Sequence, residues 1–222
     1  MDAIVTRVEG ARVALDRTVF YAQGAGQPAD HGTLHWDGGQ ARVVEVRKLG
    51  DEVLHTLEGP LPPAGAAVDG VLDWERRYAL MRAHTATHVL DGVIWRDFGA
   101  LVTGSAMEPG SARQDFESEH MSADFAVEVE RRTNAELAAD RQVRVRMLPR
   151  AEAFAIPDLI RTKINLLPAG IEHIRVIEIV GLDMQTDGGT HVARTGEVGT
   201  IRLVGHESKG RINKRLRLAI GN

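Results

Sequence analysis

The chain has 222 residues, with 27 Lys and Arg against 31 Asp and Glu, a net charge of −4, 43% apolar residues and no cysteine. That is the composition of a soluble globular protein of one large or two modest domains. It excludes a disulfide framework and any thiolate metal ligand, and it argues against a surface coated in positive charge for bulk nucleic-acid binding.

The first segment, MDAIVTRVEG, has neither the apolar stretch nor the cleavage site of a leader and reads as a strand. Short alternating runs follow: ARVALD, GTLHW, ARVVEVRKL, EVLHTLEG and AAVDGVL, punctuated by Gly, Pro and Asp. This pattern predicts a small barrel or sandwich. GPLPPAG at 59–65 is too rich in proline for a central strand and reads as a connection.

At Asp73 the character changes. DWERRYALMRAHTATHVLDGVIWRDFG has no proline, an N-cap candidate in Asp73, and apolar residues at Leu80, Met81, Val89, Val93 and Ile94. It predicts one helix over 74–98, weakened but not broken by Gly92. Beyond it, RQDFES reads as a strand. SADFAVEVERRTNAELAAD reads as a helix capped by Ser122, QVRVRML as a strand, and RAEAFAIPD as a short helix stopped by Pro157. IEHIRVIEIV, GTIRLVGHES and KRLRLAI complete the strands. The expected fold class is α+β, with a β-rich domain at 1–72 and an α+β domain at 73–222. No apolar run reaches the length of about 18 residues that a membrane helix needs. A reducing cytoplasm suits a chain without cysteine.

Two pairs of side chains carry chemistry. His84 and His88 stand four apart on the predicted helix, which puts both imidazoles on one face, a turn apart. The residue after His84 is Thr85, so the general base of the metalloprotease pattern H-E-x-x-H is missing and a zinc peptidase is disfavoured. The second pair, Asp187 and His191, frames Gly188, Gly189 and Thr190 between predicted strands. The glycines allow a backbone path closed to other residues, which could aim both side chains at the helix. Three imidazoles and a carboxylate make a legitimate zinc site, with Asp187 as a fourth ligand or as a group that orients a histidine. Each pair also has a plain reading: two histidines on a partly exposed helix face, and an Asp-Gly turn. Near the end, HESKGRINKRLRLAI carries Lys209, Arg211, Lys214, Arg215 and Arg217 against Glu207. On charge alone it reads as a solvated edge strand.

Four segments together are similar to the AlaX family, free-standing relatives of the editing domain of alanyl-tRNA synthetase. They are TVFYAQGAGQPADHG (18–32), DWERRYALMRAHTATHVL (73–90), VTGSAMEPGSARQDFE (102–117) and DMQTDGGTHVARTGEVG (183–199), the last followed by the basic strand. They span nearly the whole chain in the family's order. The resemblance implies an N-terminal translation-factor-like β-barrel and an editing domain of the threonyl/alanyl-tRNA synthetase type. It implies hydrolysis of the ester that joins a wrong amino acid, chiefly serine and sometimes glycine, to tRNA(Ala), with one Zn2+ ion. Carried over by position, the metal ligands are His84, His88, Asp187 and His191. The resemblance makes His84, His88 and Thr87 the catalytic candidates, and Thr87 matches a threonine given the substrate hydroxyl contact in relatives. A threonine there could equally bond back to its own helix.

The chain departs from the family in two places. Asp187 stands where the family usually has cysteine, and a hard carboxylate should weaken zinc and broaden the choice of metal. Ala25 replaces the second glycine of the glycine-rich motif, while Gly24, Gly26 and Gln27 remain. The family context turns Lys209, Arg211, Lys214 and Arg215 into candidate contacts to the tRNA acceptor end. Gly24, Gly26 and Gln27 either help position that end or form a tight barrel turn. No DNA or membrane partner is expected. The rival readings are a metal-depleted tRNA-binding module and a deacylase of a different mischarged tRNA.

Overall fold

A computed structural model describes residues 1–118, 122–157, 159 and 170–221. Asp158, the last residue of the RAEAFAIPD segment, lies outside them. The chain divides into two units, Met1–Ala79 and Leu80–Asn222.

The first unit is a closed barrel of six strands in the order β1-β2-β5-β4-β3-β6. They are β1 (Asp2–Glu9), β2 (Arg12–Leu15), β3 (Gly32–Trp36), β4 (Gly39–Leu49), β5 (Glu52–Glu58) and β6 (Ala67–Leu72). Closure leaves no free edge, and alternation sends one set of side chains inward. Val5, Val13, Phe20, Leu34, Val43, Val46, Leu57 and Val68 fill the interior. His55 is buried among them, with Nε2 2.8 Å from Thr18 Oγ1 and Nδ1 3.3 Å from the Val13 carbonyl. Between β2 and β3 the glycine-rich stretch makes a two-residue reversal. Gly24 and Gln27 exchange backbone hydrogen bonds of 3.1 and 2.8 Å, and Ala25 and Gly26 between them both have positive φ, +49° and +74°. Beyond the turn, buried Asp30 accepts from the Tyr21 N–H at 2.6 Å and pairs with Arg77.

Helix α1 (Trp74–Phe98) has the predicted length. Asp73 caps it, its Oδ1 accepting the Arg76 N–H at 3.0 Å. Its middle is buried on all sides, from Ala83 to Ile94. Leu80, Val89, Leu90, Val93 and Ile94 account for the apolar part, each worth about 1.5–3 kcal/mol of burial. The polar residues in the same stretch, His84, Thr85, Thr87, His88 and Asp91, are buried with them. Such groups cost stability unless they are paired, so their arrangement calls for a reason.

Two sheets flank this helix. One has four strands in the order β12-β13-β8-β7, built from β7 (Val102–Glu108), β8 (Ser111–Glu117), β12 (Ile201–Ser208) and β13 (Asn213–Ile220). Gln114 on β8 reaches Asp91 of the helix. The other has three strands, β11-β10-β9: β9 (Val143–Pro149), β10 (His173–Ile179) and β11 (Asp183–Thr186). It approaches the helix at Gly92, where an added Cβ would lie 3.0 Å from both Asp183 Cβ and Leu182 Cγ. The glycine that weakens the helix is therefore what lets β11 come close. Helix α2 (Ala123–Ala138) starts at Ser122, whose Oγ accepts the Phe125 N–H, and it is tied to β12 through Asn134 and Ile201. Helix α3 (Arg150–Ala155) ends two residues before Pro157. The α+β class is as expected. Strand β11 lies in a stretch that reads as loop in the sequence.

Candidate metal centre

His84 and His88 come from the buried middle of α1, and Asp187 and His191 from the loop after β11. One nitrogen or oxygen from each of the four residues lies within 4.8 Å of the others. His84 Nε2 is 3.4 Å from Asp187 Oδ1, and His191 Nε2 is 3.1 Å from Asp187 Oδ2. The three imidazole centroids are 4.4 to 5.3 Å apart. Zinc bonds of ~2.0–2.1 Å at tetrahedral angles place donor atoms about 3.3 Å from one another. The donor set therefore fits a divalent metal ion in size and in chemistry, borderline nitrogens with one hard oxygen.

The loop is shaped by Asp187 itself. Its Oδ2 accepts the Gly189 N–H at 2.6 Å, an Asx turn. Neither Gly188 nor Gly189 has a positive φ, so the left-handed freedom of glycine is not what the turn uses. Arg175 on β10 donates to the Asp187 carbonyl at 2.8 Å, and the Val192 N–H donates to Thr85 Oγ1 at 3.2 Å. Downstream, Val143 N–H bonds to the Ala193 carbonyl at 2.9 Å. The loop is thus fastened on both sides of the two candidate ligands.

Burial pushes His84 and His191 below the ordinary histidine range, and His191 by more. His88 is buried too, but the facing Asp183, with Asp187 and Asp91, outweighs burial and lifts it. Burial would raise Asp187, but hydrogen bonds from His191 and His84 prevail and hold it well below the usual carboxylate range. The ionised Asp187 and the neutral His84 and His191 are in the protonation state a cation requires, and the lifted His88 is the imidazole that would have to give up a proton.

Thr87 is 1% exposed, and its hydroxyl donates to the His84 carbonyl at 2.7 Å. The basic strip is distributed unevenly. Lys214 is buried, and its Nζ donates to Ser208 Oγ and to the carbonyls of Gly210 and Arg211, closing the turn between β12 and β13. Arg215 forms a two-point pair with Asp115 at 2.6 and 2.7 Å. Lys209 and Arg217 both pair with Glu207. Arg211 is exposed. Gly24 and Gly26 form the barrel turn, and Gln27 is buried at 1% exposure. Thr85, Asp91, Gln114, Arg175, Asp183 and Gln185, to which the sequence alone assigns no role in the site, surround the four ligand candidates or their neighbours. A signal existed for two of them: Asp183, Gln185 and Asp187 stand at i, i+2 and i+4, one face of a strand.

Residues 1–76 match the family described as tRNA synthetases class II (A), and residues 174–217 the one described as threonyl and alanyl tRNA synthetase second additional domain. The chain is 38% identical over 216 residues to the alanyl-tRNA editing protein AlaX-M of Saccharolobus solfataricus, covering 96% of this chain and 90% of that one. It is 36% identical to the AlaX-M protein of Methanosarcina barkeri, covering 92% and 86%. It is also 40% identical over 203 residues to the alanine–tRNA ligase of Pyrobaculum aerophilum, where it covers 88% of this chain but spans only 22% of the ligase.

Proposed function

The chain belongs to the AlaX-M family of alanyl-tRNA editing proteins, and from that premise we propose that it hydrolyses the ester linking a wrongly attached amino acid, serine or glycine, to tRNA(Ala). The observation that carries this reading is the convergence of His84, His88, Asp187 and His191 on one point. Zinc is the proposed ion, with other divalent metals admitted by the Asp187 oxygen. Bound there, it would supply positive charge to polarise an ester carbonyl or to acidify a water molecule.

The chain's own residues have the remaining tasks. An aminoacyl ester is already activated, so positioning and exclusion of bulk water supply most of what hydrolysis needs. Selectivity is harder, because alanine is smaller than serine and no steric filter can admit serine and reject it. The site must offer a partner to the serine hydroxyl that alanine leaves unpaired. Thr87 is the proposed partner. Its proton is committed to the His84 carbonyl, so its remaining lone pairs would accept from the serine hydroxyl. On this reading Lys209, Arg211 and Arg215 touch acceptor-end phosphates, Lys214 holds the turn that presents them, and Gly24, Gly26 and Gln27 are further candidates for tRNA contact. The protein would work in the cytoplasm, where charged tRNA is used.

The test is hydrolysis of Ser-tRNA(Ala) by the purified protein before and after removal of metal with a chelator, and by His88→Ala. Serine release should fall at least about 100-fold in both and return when zinc is restored to the unmodified chain. Undiminished release in the chelated protein and in His88→Ala would show that the four residues are not the reactive centre.

A further inference from the structure

A histidine binds a metal through one nitrogen, and the other nitrogen decides whether the first is free to do so. At His191, Nε2 faces Asp187 and Nδ1 lies 3.3 Å from Thr85 Oγ1. That hydroxyl oxygen already accepts the Val192 N–H at 3.2 Å, which fixes it in place one residue from the imidazole it meets. At His88 the second nitrogen meets a carboxylate instead. Its Nδ1 is buried and makes no hydrogen bond among the described residues, yet Asp183 Oδ2 faces it at 3.5 Å. The gap exceeds a normal bond by about 0.3–0.5 Å. The Asp183 side chain is fully buried and is held from behind by Gln185 Nε2, which donates to the same Oδ2 at 2.8 Å. Gly92 is the position on α1 that lets Asp183 come this close.

We infer that Asp183, which is not a metal ligand, is a positioning residue that holds His88 as the Nδ1–H tautomer and so turns a bare Nε2 toward the ion. The inference rests on the reading of the four residues as a metal centre. A carboxylate in that place raises the donor strength of the opposite nitrogen and removes the freedom of the ring to flip. Gln185 belongs to the chain of contacts one step further out, because it keeps Asp183 from turning away.

Two measurements test this, and neither involves tRNA, so it can fail while the editing reading stands, and the reverse. In the metal-free natural protein at pH 8, nitrogen-15 NMR of the histidine rings should show His88 as the Nδ1–H tautomer. An Nε2–H tautomer at His88 overturns the inference without any variant being made. The second measurement is zinc affinity by competition with a chromophoric chelator. Asp183→Leu, of similar volume but with no acceptor, should bind zinc about 10- to 100-fold more weakly, while Asp183→Asn, which retains an acceptor oxygen, should stay within about fivefold of the natural chain. Affinity within twofold of natural in Asp183→Leu would contradict the assignment, as would equal losses in both variants, the mark of a residue that only supports the fold.

Discussion

At the scale of single residues, Asp187 sets the chemistry of the centre. A carboxylate buried among three imidazoles would be costly if alone, and here each of its oxygens faces a histidine. The barrel offers a contrast in His55, whose pKa burial drives down to about 4 from 6.5. The unfolded chain takes up this proton near pH 6.5, while the fold resists it until about pH 4. The stability that a neutral His55 brings is therefore present above pH 6.5 and lost as pH falls toward 4. At pH 5 the loss should be about 2 kcal/mol. Urea unfolding at pH 7.5 and 5 should show it in the natural chain and not in His55→Gln, and an equal pH dependence in the two would contradict this account. Ala25 presents a second case. It holds a φ of +49° in a turn whose two central residues both lie in the left-handed region, where a Cβ costs about 1 kcal/mol or more. Ala25→Gly should raise stability by about 0.5 kcal/mol, after part of the gain is offset by the freer unfolded chain. A lower melting temperature for Ala25→Gly would show that the strain is not there.

Among the elements, the basic hairpin of β12 and β13 separates two roles that charge alone merges. Lys214 closes the turn through three hydrogen bonds, whereas Arg211 stands exposed at its tip. Lys214→Met should cost about 1–3 kcal/mol of stability by removing the charged donor that ties the turn together. Arg211→Ala should leave stability within about 0.5 kcal/mol and reduce by about 1 the slope of log tRNA affinity against log salt. Interchanged outcomes would mean that the roles are reversed. The alternation of KRLRLAI made this strand legible in the sequence, but its ion pairs were not, because Asp115 lies 100 residues from Arg215. Helix α1 was legible throughout, since Asp73 marks its start and no proline interrupts it. What the helix reading could not decide was which threonine faces what. Thr85 and Thr87 flank the His84–His88 stripe on opposite sides, and only the packed loop shows that Thr85 meets His191. Strand β11 was hidden by its length of four residues and by the glycines that follow it. The alternation of Asp183, Gln185 and Asp187 was the trace it left. The glycine-rich stretch allowed two readings in the sequence, and its backbone is that of a tight turn.

For the whole molecule, the boundary between the two units falls at Ala79, within the residues of helix α1. All four candidate ligands lie in the second unit, Leu80–Asn222, as do the residues that orient them. The net charge of −4 leaves RNA contact to local groups such as those of the β12–β13 hairpin. On the proposed function, this architecture removes serine from tRNA(Ala) and spares alanine. The most direct measurement is the release of labelled amino acid from Ser-tRNA(Ala) and from Ala-tRNA(Ala), side by side, by the purified zinc-loaded protein. Serine release should be at least about 100-fold faster than alanine release. Serine release no faster than in buffer, or equal rates for the two substrates, would contradict it.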